Sequence, residues 1–259
     1  MSVGKVYLVG AGPGDPELLT LKAIRAIREA DVVVYDRLVS DRILQTIGDG
    51  VARINVGKQA DFHPVPQPEI NDILIRLGRA GRTVVRLKGG DPFIFGRGCE
   101  EAAELEAAGI PFEVIPGITA AQGCAAAARI PLTHRGIASG VRYVTGHRKA
   151  NEPLELDWAS LADPDTTLVV YMGLSNIEEI VGELVAHGLP MSTPVLAVSQ
   201  GTTDRERRIC TGLAKLPVAA REAAFSGPVL FIIGRVAGLA LKRSERDDAI
   251  PSDAVSVVA

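Results

Sequence analysis

The chain has 259 residues, 47% of them hydrophobic and 23% charged, with a formal net charge of -3; this is enough for one large or two medium domains, without the overall basic field of a nucleic-acid binder. Cys99, Cys124 and Cys210 stand far apart with no C-x-x-C and no histidine pair nearby, which argues against a zinc site or a disulfide framework and predicts reduced, buried or half-buried thiols in a cytoplasmic protein. The first apolar stretch, Val6 to Val9, soon meets Gly10, Gly12 and Pro13, so no run is long enough for a signal peptide or a membrane span.

In chain order, the strand Val6 to Val9 runs into a glycine loop and then a helix. Asp15 suits the N-cap, Pro16 the first helical position, and Glu17 the positive end of the helix dipole. Leu18, Leu21, Ile24 and Ile27 form the predicted apolar stripe. A second strand, Asp31 to Tyr35, ends in Asp36-Arg37, and the β-α-β order predicts a parallel sheet with helices on its faces. Gly10 and Gly12 supply two glycines of a dinucleotide-binding G-x-G-x-x-G, but the third place is Asp15. A carboxylate there opposes a pyrophosphate, which argues against a nicotinamide dinucleotide.

Residues Ile54 to Pro68 read as a polar loop holding Lys58, His63 and three prolines. A helix from Glu69 to Arg79 leads to a strand beginning at Thr83. A helix after Gly98 leads to the strand Phe112 to Ile115, and the turn Pro116 to Thr119 feeds an alanine-rich helix from Ala120 to Arg129. The predicted domains are 1–118 and 119–241. In the second, strands are expected at Val141 to Thr145, Thr167 to Met172, Val195 to Ser199 and Val229 to Ile233, with a helix starting at Ser175 and a capping box closed by Glu178. The tail, 242–259, is charged, then small and polar, and is predicted to be largely disordered. His63, His134, His147 and His187 lack metal-ligand spacing, so no metal is expected.

The richest stretch is R-L-K-G-G-D-P-F-I-F-G-R-G-C-E-E, Arg86 to Glu101. Adjacent glycines after a strand allow a sharp turn and a close backbone approach by a ligand. Beyond them come Asp91, two exposed aromatics (Phe93, Phe95), Arg97, Glu100 and Glu101, more polar chemistry than a turn needs. Ligands of open α/β sheets bind at the carboxyl ends of strands. Pattern alone therefore predicts a two-domain α/β enzyme that binds a small molecule in a cleft.

Six motifs in order, V-G-A-G-P-G-D-P-E-L-L-T from Val9, V-V-Y-D-R-L-V from Val33, the Arg86 to Glu101 stretch, V-I-P-G-I-T-A-A from Val114, L-T-H-R-G from Leu132 and Y-M-G-L from Tyr171, resemble the uroporphyrinogen-III C-methyltransferases of the tetrapyrrole methylase group. The resemblance implies two α/β domains of class III methyltransferase type, usually in a homodimer, with S-adenosylmethionine in the cleft between the domains. It implies transfer of two methyl groups to uroporphyrinogen III, giving precorrin-2 and S-adenosylhomocysteine on the way to sirohaem, cobalamin or haem d1. A chain that begins at the methylase motif is expected to be monofunctional.

Matched residue by residue, the family's cofactor site falls on Pro13, Gly89, Gly90, Asp91, Ile94, Thr119, Ala120, Met172 and Gly201. Its acid-base positions fall on Asp36 and Lys58, and Arg97 and Glu100 match positions acting on the substrate. Arg37, Arg135, His147 and Met172 are expected as pocket walls. The chemistry suits these types: guanidinium and ammonium groups pair with a polycarboxylate substrate, and after methyl transfer the cationic ring system loses a proton, for which Asp36 and Glu100 are the candidate acceptors. Arginine stays protonated, which assigns Arg97 to orientation and charge stabilisation.

Overall fold

The computed structural model describes residues 3–57, 65–147 and 154–240. Lys58, His63 and the 242–259 tail lie outside them. The described residues divide into two compact units, one running to Gly123 with Thr202–Asp204 added, the other Cys124–Gly201 with the described residues from Arg205 onward.

The first unit contains β1 (Val6–Gly10), α1 (Leu21–Glu29), β2 (Val32–Tyr35), α2 (Asp41–Leu44), β3 (Ala52–Asn55), α3 (Gln67–Arg79), β4 (Val84–Lys88), α4 (Gly98–Ala107), β5 (Phe112–Ile115) and the start of α5 (Ala120–Ala127). Its five strands are all parallel, in the order β3-β2-β4-β1-β5. Side chains alternate between faces along a strand, and the two apolar clusters follow that alternation. Val6, Leu8, Val32, Val34 and Val84 pack with Ile70 and Leu74 of α3 and Leu105 of α4. Val9, Val33, Val85, Leu87 and Ile115 pack with Ala23, Ala26 and Ile27 of α1 and Ile43 of α2. Arg86 and Lys88 share the face of Val84 and therefore point toward α3 and α4, where both are buried.

Two helix expectations change. Asp15 does cap, its Oδ1 accepting from Glu17 N at 3.0 Å, but the turn it caps is a short 3-10 segment, Pro16–Leu18. Thr20 then caps α1 by accepting from Ala23 N. This second start rotates the stripe: Ala23, Ala26 and Ile27 are buried, while Leu21 is 86% exposed.

The second unit contains β6 (Gly140–Thr145), α6 (Trp158–Leu161), β7 (Thr166–Tyr171), α7 (Ile177–Ala186), β8 (Pro194–Ser199), β9 (Arg207–Gly212), α8 (Leu216–Glu222) and β10 (Val229–Ile233). The sheet order is β6-β7-β10-β8-β9. β6 and β7 are parallel and the other pairs antiparallel, so β7 and β8 run the same way on either side of β10. A core built around Leu168, Val170, Ile180, Leu184, Val195, Ala197 and Phe231 fills one face. The helix predicted from Ser175 begins at Ile177, after a 3-10 turn Leu174–Asn176, without a side-chain cap. Of the thiols, Cys124 is buried and Cys210 half-buried, but Cys99 is exposed, contrary to expectation, because it stands on the open side of the first turn of α4.

Candidate active site

In the first unit the carboxyl ends of β1, β2, β4 and β5 gather Pro13, Asp36, Arg37, the Gly89-Gly90-Asp91 turn, Thr119 and Ala120, with Ile94, Arg97 and Glu100 following the turn into α4. All-parallel pairing puts these ends on one edge of the sheet. The β1–β4 pairing continues past both strands: Ala11 N donates to Lys88 O at 2.7 Å, Gly90 N to Gly12 O at 2.7 Å, and Gly12 N to Gly90 O at 3.1 Å. Gly90 turns with φ 71°, a conformation that disfavours any residue with a Cβ. Gly117 has no room for one either, since its Cβ would collide with the Gly90 carbonyl oxygen.

Asp91 joins two of these loops. Its Oδ1 accepts from Phe93 N at 2.8 Å and its Oδ2 from Gly117 N at 3.0 Å, leaving each oxygen one further lone pair. Thr119, 8% exposed, accepts from Gln122 N at the start of α5. A Cβ built on Gly90 would find its nearest neighbour, Ala120 N, only at 3.9 Å. The turn thus presents open backbone beside a carboxylate with spare acceptor capacity. That combination fits a small ligand carrying an ammonium or hydroxyls, as S-adenosylmethionine does.

Behind the turn lies a charged cluster. Asp36 Oδ1 accepts from Arg86 Nη2 at 2.6 Å, and Asp36 Oδ2 stands 3.6 Å from Lys88 Nζ. Glu101 Oε1 accepts from Arg86 Nε at 3.0 Å, Lys88 Nζ at 2.9 Å and Gln67 Nε2 at 3.2 Å. The Arg86, Lys88 and Glu101 side chains are at most 4% exposed, whereas Asp36 keeps 28% of its surface open. Among the described residues, Arg86 Nη1 and Glu101 Oε2 have no hydrogen-bond partner.

Arg97 and Glu100 form a fork of their own: Arg97 Nε donates to Glu100 Oε1 at 2.9 Å and Nη2 to Oε2 at 2.6 Å. Both are exposed, and Arg97 occupies the N-cap of α4 with a left-handed φ of 58°. The Arg97 hydrogen bond holds the Glu100 carboxyl below its ordinary value and in turn raises Arg97. Arg37 is exposed, its backbone packed beside Gly57, and Ile94 is half-buried. Lys58 lies outside the described residues.

In the second unit, His147 follows β6 and Met172 follows β7, whose last residues, Thr145 and Tyr171, pair in register. Gly201 follows β8 at the same end. Met172 is 49% exposed with φ 53°, a backbone state uncommon for such a residue. Arg135 is not brought to them. It lies in the turn bridged by His134 and Ala138, before β6, and Ser139 N donates to the carbonyl of Asp165 just ahead of β7. The six-residue β7 separates that end from Met172 by about 20 Å at the usual strand rise.

Pattern reading did not single out Arg86, Lys88 and Glu101 as a group. A signal was present: two basic residues at alternate positions of an otherwise apolar strand need a buried acid, and Glu101 follows Lys88 by 13 residues.

The model of the tetrapyrrole (corrin/porphyrin) methylases matches residues 5–217. The chain belongs to this family. It is 56% identical over 251 residues to a uroporphyrinogen-III C-methyltransferase of Paracoccus denitrificans, covering 97% of this chain and 86% of that one. It is 53% identical over 238 residues to a siroheme synthase of Azotobacter vinelandii, covering 92% of this chain but only 51% of that protein. Among solved structures, a uroporphyrin-III C-methyl transferase of Thermus thermophilus complexed with S-adenyl homocysteine superposes with a TM-score of 0.77 at 43% identity, covering 91% of this chain and all of that one. The family's two-sheet α/β fold is the one described above. Among the described residues of this methylase, no helix is long and apolar enough to cross a membrane, and no three His, Cys, Asp or Glu side chains are grouped to hold a metal ion.

Proposed function

We propose that the chain is an S-adenosylmethionine-dependent C-methyltransferase that adds two methyl groups to uroporphyrinogen III, giving precorrin-2 and S-adenosylhomocysteine for sirohaem, cobalamin or haem d1 synthesis. The likeness to the Paracoccus protein over nearly the whole chain carries the choice of substrate. The chain spans about half the length of the siroheme synthase it matches.

S-adenosylmethionine supplies a methyl group already activated on a sulfonium. The protein's task is then to hold an electron-rich pyrrole carbon in line with it and to take up the proton released afterwards. The open Gly89-Gly90 backbone, Asp91, Pro13, Ile94, Thr119, Ala120, Met172 and Gly201 are assigned to the cofactor. The Asp91 carboxylate, braced through Phe93 N and Gly117 N, would accept from the cofactor's ammonium or hydroxyls.

Asp36 is assigned as the proton acceptor. Glu100 is the weaker choice, because its pairing with Arg97 keeps it below its ordinary pKa and so lowers its basicity. The Arg97–Glu100 fork leaves Arg97 Nη1 outside the pair, where it can meet a substrate carboxylate. Lys58, Arg37 and His147 keep their acid-base and pocket-wall assignments on the resemblance. So does Arg135, although the strand end where it lies offers it no support. The active form is proposed to be a cytoplasmic homodimer, which light scattering of the purified protein tests.

The decisive assay is anaerobic incubation with uroporphyrinogen III and labelled S-adenosylmethionine, counting methyl groups on the product by mass spectrometry. Two added methyls are expected. Saturable S-adenosylhomocysteine binding without transfer would redirect the assignment to a later corrin precursor.

A further inference from the structure

We propose that Glu101, acting through Arg86 and Lys88, is the positioning residue that fixes the Asp36 carboxylate for proton removal. This rests on the reading of Asp36 as the proton acceptor.

The geometry points from Glu101 outward. Its Oε1 accepts from both cations of β4, Arg86 Nε at 3.0 Å and Lys88 Nζ at 2.9 Å. With Nε held, the planar guanidinium has little freedom left, and its Nη2 meets Asp36 Oδ1 at 2.6 Å. Lys88 flanks the other oxygen at 3.6 Å. Asp36 is thereby held through one oxygen while its side chain remains partly open. The support extends across the sheet: Glu101 belongs to α4, the cations to β4, and Asp36 follows β2. The same helix carries Glu100 in its first turn and has Arg97 at its N-cap, so the clamp ties the acceptor to the residues assigned to substrate orientation.

A purely architectural role accounts poorly for this cluster. Removing charges from water is costly, and apolar side chains of similar volume usually stabilise a core at least as well. The rest of this face is filled by Val6, Leu8, Val34, Val84 and Leu105. Arg86 Nη1 and Glu101 Oε2, both buried and without a partner among the described residues, add to the cost. Charge at this point of the sheet therefore serves what lies at its edge.

The test is a double-mutant cycle on the full chain, using labelled S-adenosylmethionine and uroporphyrinogen III under anaerobic conditions, with the S-adenosylhomocysteine Kd and the urea midpoint recorded for every variant. Glu101→Gln is expected to lower kcat by about 10- to 100-fold, with KM and the S-adenosylhomocysteine Kd within about twofold of the parent. In an Asp36→Asn background the same substitution is expected to change the rate by less than about twofold, since residues acting through one group are not additive. Losses that multiply would overturn the proposal and leave Glu101 a structural residue. Lys88→Met provides a second, independently folded cycle with the same expectation, and it decides the question if Glu101→Gln does not fold. A full rate in Asp36→Asn alone would remove Asp36 as acceptor, an outcome distinct from multiplying losses around a slow Asp36→Asn.

Discussion

In the first sheet, β4 follows the buried Val84 with Arg86 and Lys88 on the same face. In the second, the central strand β10 runs Val229, Phe231, Ile233 on one face with no charge at all. Among the described residues, every buried charged side chain, Arg86, Lys88 and Glu101, belongs to the first unit. The buried polar side chains of the second are hydroxyls, Thr167, Thr193 and Ser199. Both sheets have five strands, so strand number does not explain the difference. Burying charge costs stability that burying valine supplies, and the first sheet bears that cost directly beneath the edge where the glycine turn, Asp36 and Arg97 stand. The second sheet behaves as a packed core with exposed residues at its strand ends.

Substitutions can break or sharpen this contrast. The largest effect on stability is expected in the second sheet, where Phe231→Ala removes a fully buried ring and should cost about 3–5 kcal/mol in urea unfolding. A loss below about 1 kcal/mol would mean that this core is not the close-packed one described. Next, Arg97→Ala should lower methyl transfer by about 100-fold, worth roughly 2.7 kcal/mol of activation free energy, while S-adenosylhomocysteine still binds. An active variant would take Arg97 out of the mechanism. Gly117→Ala should destabilise the first unit by about 1–3 kcal/mol through overpacking, because the added carbon collides with Gly90 O. Gly90→Ala should cost about 1–2 kcal/mol for its φ alone, as its side has space. Equal losses with no effect on S-adenosylhomocysteine Kd would show that the turn's shape does not matter to binding.

The smallest effect concerns a half-buried charge of the first sheet. Glu113 on β5 pairs with Lys22 and with Lys5, the latter at 2.6 Å, and these hydrogen bonds pull its carboxyl from 4.5 down to about 2. A depressed folded-state value means that the contribution is present above pH 4.5 and is lost as pH falls toward 2. Glu113→Gln should lower the Tm slightly above pH 4.5 and converge with the parent toward pH 2, flattening the profile across that window. An unchanged acid slope would show that the pair contributes nothing in solution.

The central strands and the glycine turn were legible because their causes are local. Val32 to Val34 and Val229 to Ile233 are continuous apolar runs, as strands covered on both faces must be, Val84 to Leu87 is broken only by Arg86, and Gly90 is dictated by its own φ. β3 and β9 escaped pattern reading, and both are edge strands. With one side unpaired and no residue fully buried in either strand, Ala52-Arg53-Ile54-Asn55 and Arg207-Arg208-Ile209-Cys210 carry too weak an alternation. The antiparallel direction of β10 was equally hidden, since a buried strand reads the same either way. The Asp36–Arg86 and Arg86–Glu101 contacts link residues 50 and 15 positions apart. Which acid meets which base depends on how α4 and β2 lie against β4, and no local pattern records that.

That the charge beneath the first sheet serves methyl transfer is tested most directly by single-turnover formation of the methylated, deprotonated product from uroporphyrinogen III in Asp36→Asn, with enzyme in excess and S-adenosylhomocysteine affinity measured on the same sample. The rate constant should fall by about 10²- to 10⁴-fold, the usual worth of a general base, while the affinity stays within about twofold. A rate equal to that of the parent protein would contradict the account.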